Sequence, residues 1–157
     1  MPAQDETATN VSHQQLVALL TQSKFWPPSL SDLETQLKPL GPLKHERPAE
    51  RSLQLIGGAT GVVQRSDISY ASDGHDNWVF ESASFFVSSS DLEQTNSDLE
   101  RLLRKQLGKP NWSRRDSPKT LKSSSWRLTK KLWLILAPSY ADQNKLLELT
   151  IADTSGD

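Results

Sequence analysis

The chain has 157 residues, of which 35% are hydrophobic, and this is enough for one compact core. It contains no cysteine, which excludes disulfides, thiolate metal sites and cysteine nucleophiles and suits a reducing compartment. The formal net charge of -1 hides a division: residues 1–100 carry 6 basic and 14 acidic side chains, a net -8, whereas the remainder carry 12 and 5, a net +7.

The N-terminal segment predicts neither export nor membrane insertion. Residues 1–10 are polar and acidic where a secretory signal needs positive charge, so we expect a flexible leader there and a single domain over residues 11–157. No apolar run approaches the roughly 20 residues that a transmembrane helix needs. We therefore expect a cytoplasmic protein that does not enter a membrane.

Capping patterns predict the starts of three helices. Ser12 with Gln15 forms a capping box before a stripe of leucines. The sequence SDLE then occurs twice. Its serine and glutamate have the spacing of a capping box, so Ser31 and Ser97 are the predicted N-caps of the second and third helices. Ser90 offers an earlier start for the third helix, so its first turn stays open.

Six segments rich in β-branched and aromatic residues predict strands. They are residues 53–56, 62–70, 78–87, 124–128, 132–137 and 146–152. Turn sequences such as GGAT and ASDGHDN separate them, as expected of antiparallel neighbours. The sequence therefore predicts an α+β fold in which helices pack on antiparallel β-meanders.

The two SDLE phrases also raise the question of an internal repeat. Each precedes a group of three predicted strands, so a duplication would give two helix-plus-three-strand units, residues 29–88 and 95–153, within one domain. A capping box followed by leucines and a glycine is, however, common at helices in general. Duplication and chance both stay open.

The sequence SDGHDNW contains the densest group of side chains that could bind a metal or transfer a proton. Asp73, His75 and Asp76 could bind a divalent metal or act as acid and base. The same residue types suit a hairpin turn in which Gly74 supplies a positive φ, and this interpretation is favoured. We therefore expect no metal, no cofactor and no catalysis, and we assign these three residues to the binding of a partner.

Residues 101–133 interleave basic side chains with Trp112, Trp126 and Trp133, a combination that can bind phosphates and stack on unpaired bases. Two observations weigh against nucleic acid. The overall pI of about 6.3 is low for a nucleic-acid-binding module, and Trp126 and Trp133 lie among apolar neighbours in predicted strands. We expect these two tryptophans in the core.

Trp112 is the aromatic residue that we least expect to be buried, because it lies in the polar segment KPNWSRRDSPK. Arg114 and Arg115 are close to it, and tryptophan and arginine are enriched at the energetic centres of protein interfaces. An irregular edge strand is the alternative. We predict that Trp112, Arg114 and Arg115 contact a partner protein.

The C-terminal part of the chain contains LGKPNW, SSSWRL, KLWLILAP and LLELTIAD in this order. With the absence of cysteine, this pattern resembles bacterial immunity proteins, which neutralise toxins delivered between cells. Tandem helix-and-meander units also resemble the β-lactamase-inhibitor-like periplasmic modules, although the lack of an export signal does not suit that compartment. Neither resemblance assigns a role to a particular residue.

The immunity resemblance implies a non-catalytic protein that inhibits a cognate toxin by stoichiometric binding at or near its active site. Three alternatives stay open: a secretion chaperone or adaptor for an effector, a nucleic-acid-binding module that uses residues 101–133, and a metal-dependent enzyme. A stable homodimer around an effector segment would favour the chaperone. Loss of a bound metal in Asp73→Ala would favour the enzyme.

Overall fold

A computed structural model of the protein describes residues 11–22, 24–40, 43–45, 52–72, 74, 77–114, 121–139 and 146–153. These residues form three α-helices, α1 (His13–Leu20), α2 (Leu30–Gln36) and α3 (Leu92–Leu107), and a short 3-10 turn (Lys38–Leu40). None of the described helices is long and apolar enough to cross a membrane.

The strands of the described residues are β1 (Leu43–His45), β2 (Ser52–Gly57), β3 (Val63–Ser72), β4 (Trp78–Val87), β5 (Trp112–Arg114), β6 (Ser123–Arg127), β7 (Leu132–Ser139) and β8 (Leu146–Asp153). They form one eight-stranded sheet in the order β1-β2-β3-β4-β8-β7-β6-β5. Every neighbouring pair is antiparallel.

The predicted fold class is wrong. We expected an α+β protein with helices packed on one or two meanders, whereas a single eight-stranded antiparallel sheet dominates the described structure. Two causes are apparent. The strands β1 and β5 have three residues each, too few to show an alternating pattern, and the pairing of β4 with β8 joins both halves of the chain into one sheet.

The sheet has two halves of four strands that meet at its centre. Strands β1 to β4 follow α2, strands β5 to β8 follow α3, and β1 and β5 occupy the two edges. Each half has one strand more than the unit that the sequence suggests. The internal duplication itself stays a prediction.

Of the predicted helix starts, one is confirmed and one is wrong, and the third, which was open between Ser90 and Ser97, lies near the earlier position. Ser12 and Gln15 form the predicted capping box at α1. Ser31 and Ser97 instead lie inside α2 and α3. The true N-caps are Ser29 and Asp91, whose side chains accept backbone N–H groups at 3.3 and 3.1 Å. Each lies upstream of the predicted cap, and both residue types are strong N-caps, so the helices begin earlier.

The core lies on one face of the sheet, under the helices. Alternate residues of β2 to β4 and β6 to β8 are buried there together with leucines from all three helices, in one hydrophobic cluster. Polar contacts fix α3 against β6: the Trp126 indole N–H donates to the Gly108 carbonyl at 2.9 Å. We call this the helix face of the sheet, and the opposite side the outer face.

Candidate functional site

Part of the predicted contact set can be placed and part cannot. Asp73, His75, Asp76 and Arg115 lie outside the described residues. Next to them, Gly74 has a φ of 88° and its N–H donates to the Ser72 hydroxyl at 3.2 Å, as the turn interpretation requires. Across the described ranges, no group of three or more His, Asp or Glu side chains is placed to hold a metal ion.

Trp112 and Arg114 lie on the edge strand β5 and point to the outer face. Between them, the Ser113 hydroxyl is 3.2 Å from that of Ser124, which in turn donates to Glu100 of α3, so Ser113 faces the helices. Because side chains alternate along a strand, the two flanking residues face the other way. Trp112 is 48% exposed, and Arg114 is also exposed.

One row of paired residues crosses the outer face from edge to edge. In strand order it consists of Lys44, Ile56, Asp67, Ser84, Thr150, Ile135, Ser125 and Trp112. A second, shorter row runs beside it through Arg65, Phe86, Glu148 and Ala137. These rows place Trp112 on the same surface as residues that are far from it in sequence.

The centre of the outer face carries a hydroxyl-carboxylate cluster on β4 and β8. The Thr150 hydroxyl donates to Oε2 of Glu148 at 2.6 Å, and the Ser84 hydroxyl donates to the same oxygen at 3.1 Å. The two hydroxyls are 3.2 Å apart. Both hydrogen bonds orient the Glu148 carboxylate, which is only half-buried and can still accept a donor from outside.

Apolar and aromatic side chains surround this cluster. Phe86, Ile135 and Trp133 are half-buried on the outer face, and the Arg127 guanidinium lies over the Trp133 ring at 5.1 Å from its centroid. An arginine in this position is attracted by the negative face of the ring and covers it. The surface therefore combines a polar centre with large apolar groups.

Basic side chains lie around Asp67 and Glu148 on the outer face. Lys44 and Arg114 lie on the two edge strands, and Arg65 lies on β3, where it forms a 3.5 Å ion pair with Asp67. Arg127 adds a further exposed positive charge. The rim of this face is thus basic, whereas its centre holds Glu148.

The tryptophans of residues 101–133 do not form one stacking surface. Trp126 is buried on the helix face, as predicted, with 1% of its surface exposed. Trp133 was expected in the core, but it lies on the outer face because it alternates with the buried Leu132 and Leu134. Only Trp112 and Trp133 therefore share a surface.

Sequence reasoning missed the central cluster, although a signal for it exists. In LLELTIAD the residues Leu147, Leu149 and Ile151 are buried, and Glu148 and Thr150 occupy the alternate positions. An alternating strand indicates which residues share a face. It does not indicate that Ser84 of a distant strand is the cross-strand partner, which requires the β4–β8 register.

No family model and no curated protein matches the chain. Among solved structures, the chain is similar to a DUF4309 family protein (YjgB) from Bacillus subtilis subsp. subtilis str. 168, with 15% sequence identity and a TM-score of 0.42. The match covers 90% of this chain and 97% of that chain. A likeness of this degree carries no argument about function.

Proposed function

We propose that the protein is a non-catalytic module that binds another protein through the outer face of its sheet. The observation that carries this proposal is the position of Trp112, a large aromatic side chain that is 48% exposed beside Arg114 on that face. Exposed tryptophan and arginine are the residue types that contribute most to protein interfaces.

The neighbouring surface fits the same function. Phe86, Trp133 and Ile135 can be desolvated by a flat partner surface, and Glu148 offers a preoriented carboxylate at the centre. The basic rim favours a partner with acidic side chains at its periphery, because complementary charges accelerate association. A partner group that donates a hydrogen bond would pair with Glu148.

Nucleic acid is less well supported than protein on this surface. A duplex or single strand would bring phosphates toward Glu148 and Asp67, which lie in the middle of the face. Stacking would be limited to Trp112 and Trp133, and the Trp133 ring is already covered by Arg127. Binding of single strands that weakens steeply with salt would nevertheless favour this alternative.

Within the class of protein-binding modules, we propose an immunity protein that inhibits a cognate bacterial toxin by stoichiometric binding. This step rests on the sequence resemblance alone and concerns the partner's identity. A secretion chaperone would use the same surface for an effector. The two differ in what the partner does: a toxin arrests growth when it is expressed alone, and co-expression of this chain restores growth.

The decisive experiment begins with the partner that co-purifies from the native host, which is identified and purified. The affinities of two double variants for this partner are then compared. Trp112→Ala with Arg114→Ala removes two exposed side chains of the edge strand β5, so the fold should be retained. We expect its dissociation constant, measured by calorimetry, to rise at least tenfold, or by about 1.4 kcal/mol.

The control is Arg101→Ala with Lys105→Ala, which removes exposed cations of α3 on the helix side of the molecule. We expect its affinity to stay within about twofold of the wild type, because an exposed charge away from the interface contributes little. Wild-type affinity of the Trp112 and Arg114 variant, with the fold confirmed by circular dichroism, would remove the edge strand β5 from the interface and with it the observation that carries the proposal.

A further inference from the structure

A cavity of about 620 Å³ lies at the end of the sheet where β4 begins and β8 ends. Four separate parts of the chain form it: the segment that leads into α2, the start of β4, the turn between β6 and β7, and the last residue of β8. Its volume lies in the range of pockets for small molecules, which is about 300–1,000 Å³.

Three aromatic side chains, Trp26, Trp78 and Phe80, form part of the cavity wall, and contacts with other rings hold Trp26 and Phe80 in place. Trp26 lies edge-on to Phe25, with ring centroids 5.0 Å apart, and its ring is 5.5 Å from that of Phe80. The Tyr70 hydroxyl donates to the Pro28 carbonyl at 3.1 Å and fixes the adjoining segment. Trp78 completes an apolar wall that is formed before any ligand arrives.

The turn between β6 and β7 brings positive charge to the cavity. Lys130 and Lys131 both line it, and neither forms a salt bridge with another described residue. Asp153 also lines it but already has an interaction of its own. Two ammonium groups against one carboxylate leave a net positive charge, which favours an anion.

Trp26 contributes ring surface to the cavity and no hydrogen-bond donor. Only 3% of the residue is exposed, and its indole nitrogen is buried without a hydrogen-bond partner among the described residues. A ligand in the cavity therefore contacts the edge of the ring and does not reach the N–H group.

We propose that this cavity binds a small aromatic carboxylate. The ligand's ring packs against Trp26, Trp78 and Phe80, and its carboxylate pairs with the ammonium groups of Lys130 and Lys131. The site is distinct from the outer-face contact of Trp112, so it does not depend on the proposed protein partner.

The test uses 1-naphthoate as the probe and 1-naphthalenemethanol as its neutral counterpart, each titrated into the full chain by calorimetry. We expect the carboxylate to bind at least tenfold more tightly than the alcohol. The double variant Lys130→Met with Lys131→Met should lose most of this preference. The control is Lys105→Met with Lys109→Met, which changes one exposed lysine in α3 and one just after it, and it should keep the preference.

The role of the aromatic wall is tested by Trp78→Ala, which removes a half-buried ring that lines the cavity. We expect naphthoate to bind this variant several-fold more weakly than the wild type. If Trp78→Ala does not fold, as judged by circular dichroism, the lysine pair still decides the question. Equal affinity for the two probes, no binding at millimolar concentration, or undiminished preference in the Lys130 and Lys131 variant would overturn the proposal.

Discussion

The Ser124 hydroxyl on β6 donates a 2.8 Å hydrogen bond to Oε1 of Glu100 on α3, and it thereby ties the longest helix to the second half of the sheet. Two cations approach the same carboxylate. Arg104 lies 3.2 Å from Oε2, and Lys122 lies 3.5 Å from Oε1. Glu100 thus connects a helix to a strand through a charge, in a place where the apolar core ends.

These contacts predict a pH-dependent stability. Burial by itself raises the pKa of Glu100, but the Ser124 hydrogen bond and the charges of Lys122 and Arg104 outweigh it and lower the pKa below its ordinary value. In the unfolded chain the pKa returns to about 4.3. Because the folded value is the lower one, ionised Glu100 stabilises the fold above that pH, and the contribution is lost as the pH falls through the folded pKa.

We therefore expect Glu100→Gln to lower the free energy of unfolding by about 1–2 kcal/mol at pH 7, since a hydrogen-bonded charge is lost. The deficit should shrink as the pH falls through the lowered pKa of folded Glu100, because the wild-type carboxyl is then itself protonated. Urea denaturation over a series of acidic pH values measures it, with Glu93→Gln in the exposed first turn of α3 as the control. Equal stability of Glu100→Gln and wild type at pH 7 would contradict the expectation.

Local features were predictable where neighbouring residues determine them. The Ser12 capping box needs only residues three positions apart, and the six longer strands show alternation or aromatic enrichment over at least five residues. Ser31 shows the limit of such patterns, because Ser29, two residues earlier, competes for the same role. Both are good N-caps, and tertiary packing selects between them.

The candidate sites depend on residues that are far apart in sequence, and for this reason they were largely hidden. The central cluster joins Ser84 to Glu148 through the β4–β8 register, and no local pattern specifies which strands meet at the centre of a sheet. The cavity likewise assembles Trp26, Trp78 and Lys130 from three distant segments. Trp112 was accessible to sequence reasoning because its own neighbours are polar.

Gly61 permits a further prediction about the connection between β2 and β3. Its φ is 60°, and a Cβ atom built there would overlap the backbone N and O of Val11. The same Val11 carbonyl accepts the Val62 N–H at 2.9 Å, so this approach joins the residue before the capping box of α1 to the sheet. Only glycine fits both the positive φ and the close contact.

We expect Gly61→Ala to destabilise the fold by about 2–5 kcal/mol, from the left-handed backbone and the steric overlap together. Gly74→Ala is the matched control: its φ of 88° is also positive, but none of the described residues has an atom within 4 Å of the position of its Cβ. That variant should lose only about 1–2 kcal/mol. Thermal unfolding of both proteins measures the difference, and equal losses would exclude the overlap with Val11.

Glu148 gives the last prediction, which rests on the proposed binding of a protein by the outer face. Its Oε2 accepts both the Thr150 and the Ser84 hydroxyls, and no described residue donates to Oε1. Glu148→Gln keeps the shape of the side chain and an oxygen for the two hydroxyls, but it removes the charge that a donor of the partner would meet. We expect a stability change below about 1 kcal/mol and an affinity for the partner reduced at least tenfold.

Glu93→Gln on the exposed start of α3 removes an equal charge from the helix side of the molecule, and its affinity should match that of the wild type. Surface plasmon resonance at two salt concentrations then separates two effects of the charge. A contact at the interface raises the dissociation rate of Glu148→Gln, whereas a long-range effect changes mainly the association rate and disappears at high salt. An unchanged dissociation rate would show that the partner does not contact Glu148 and would confine the interface to the side of the face that carries Trp112.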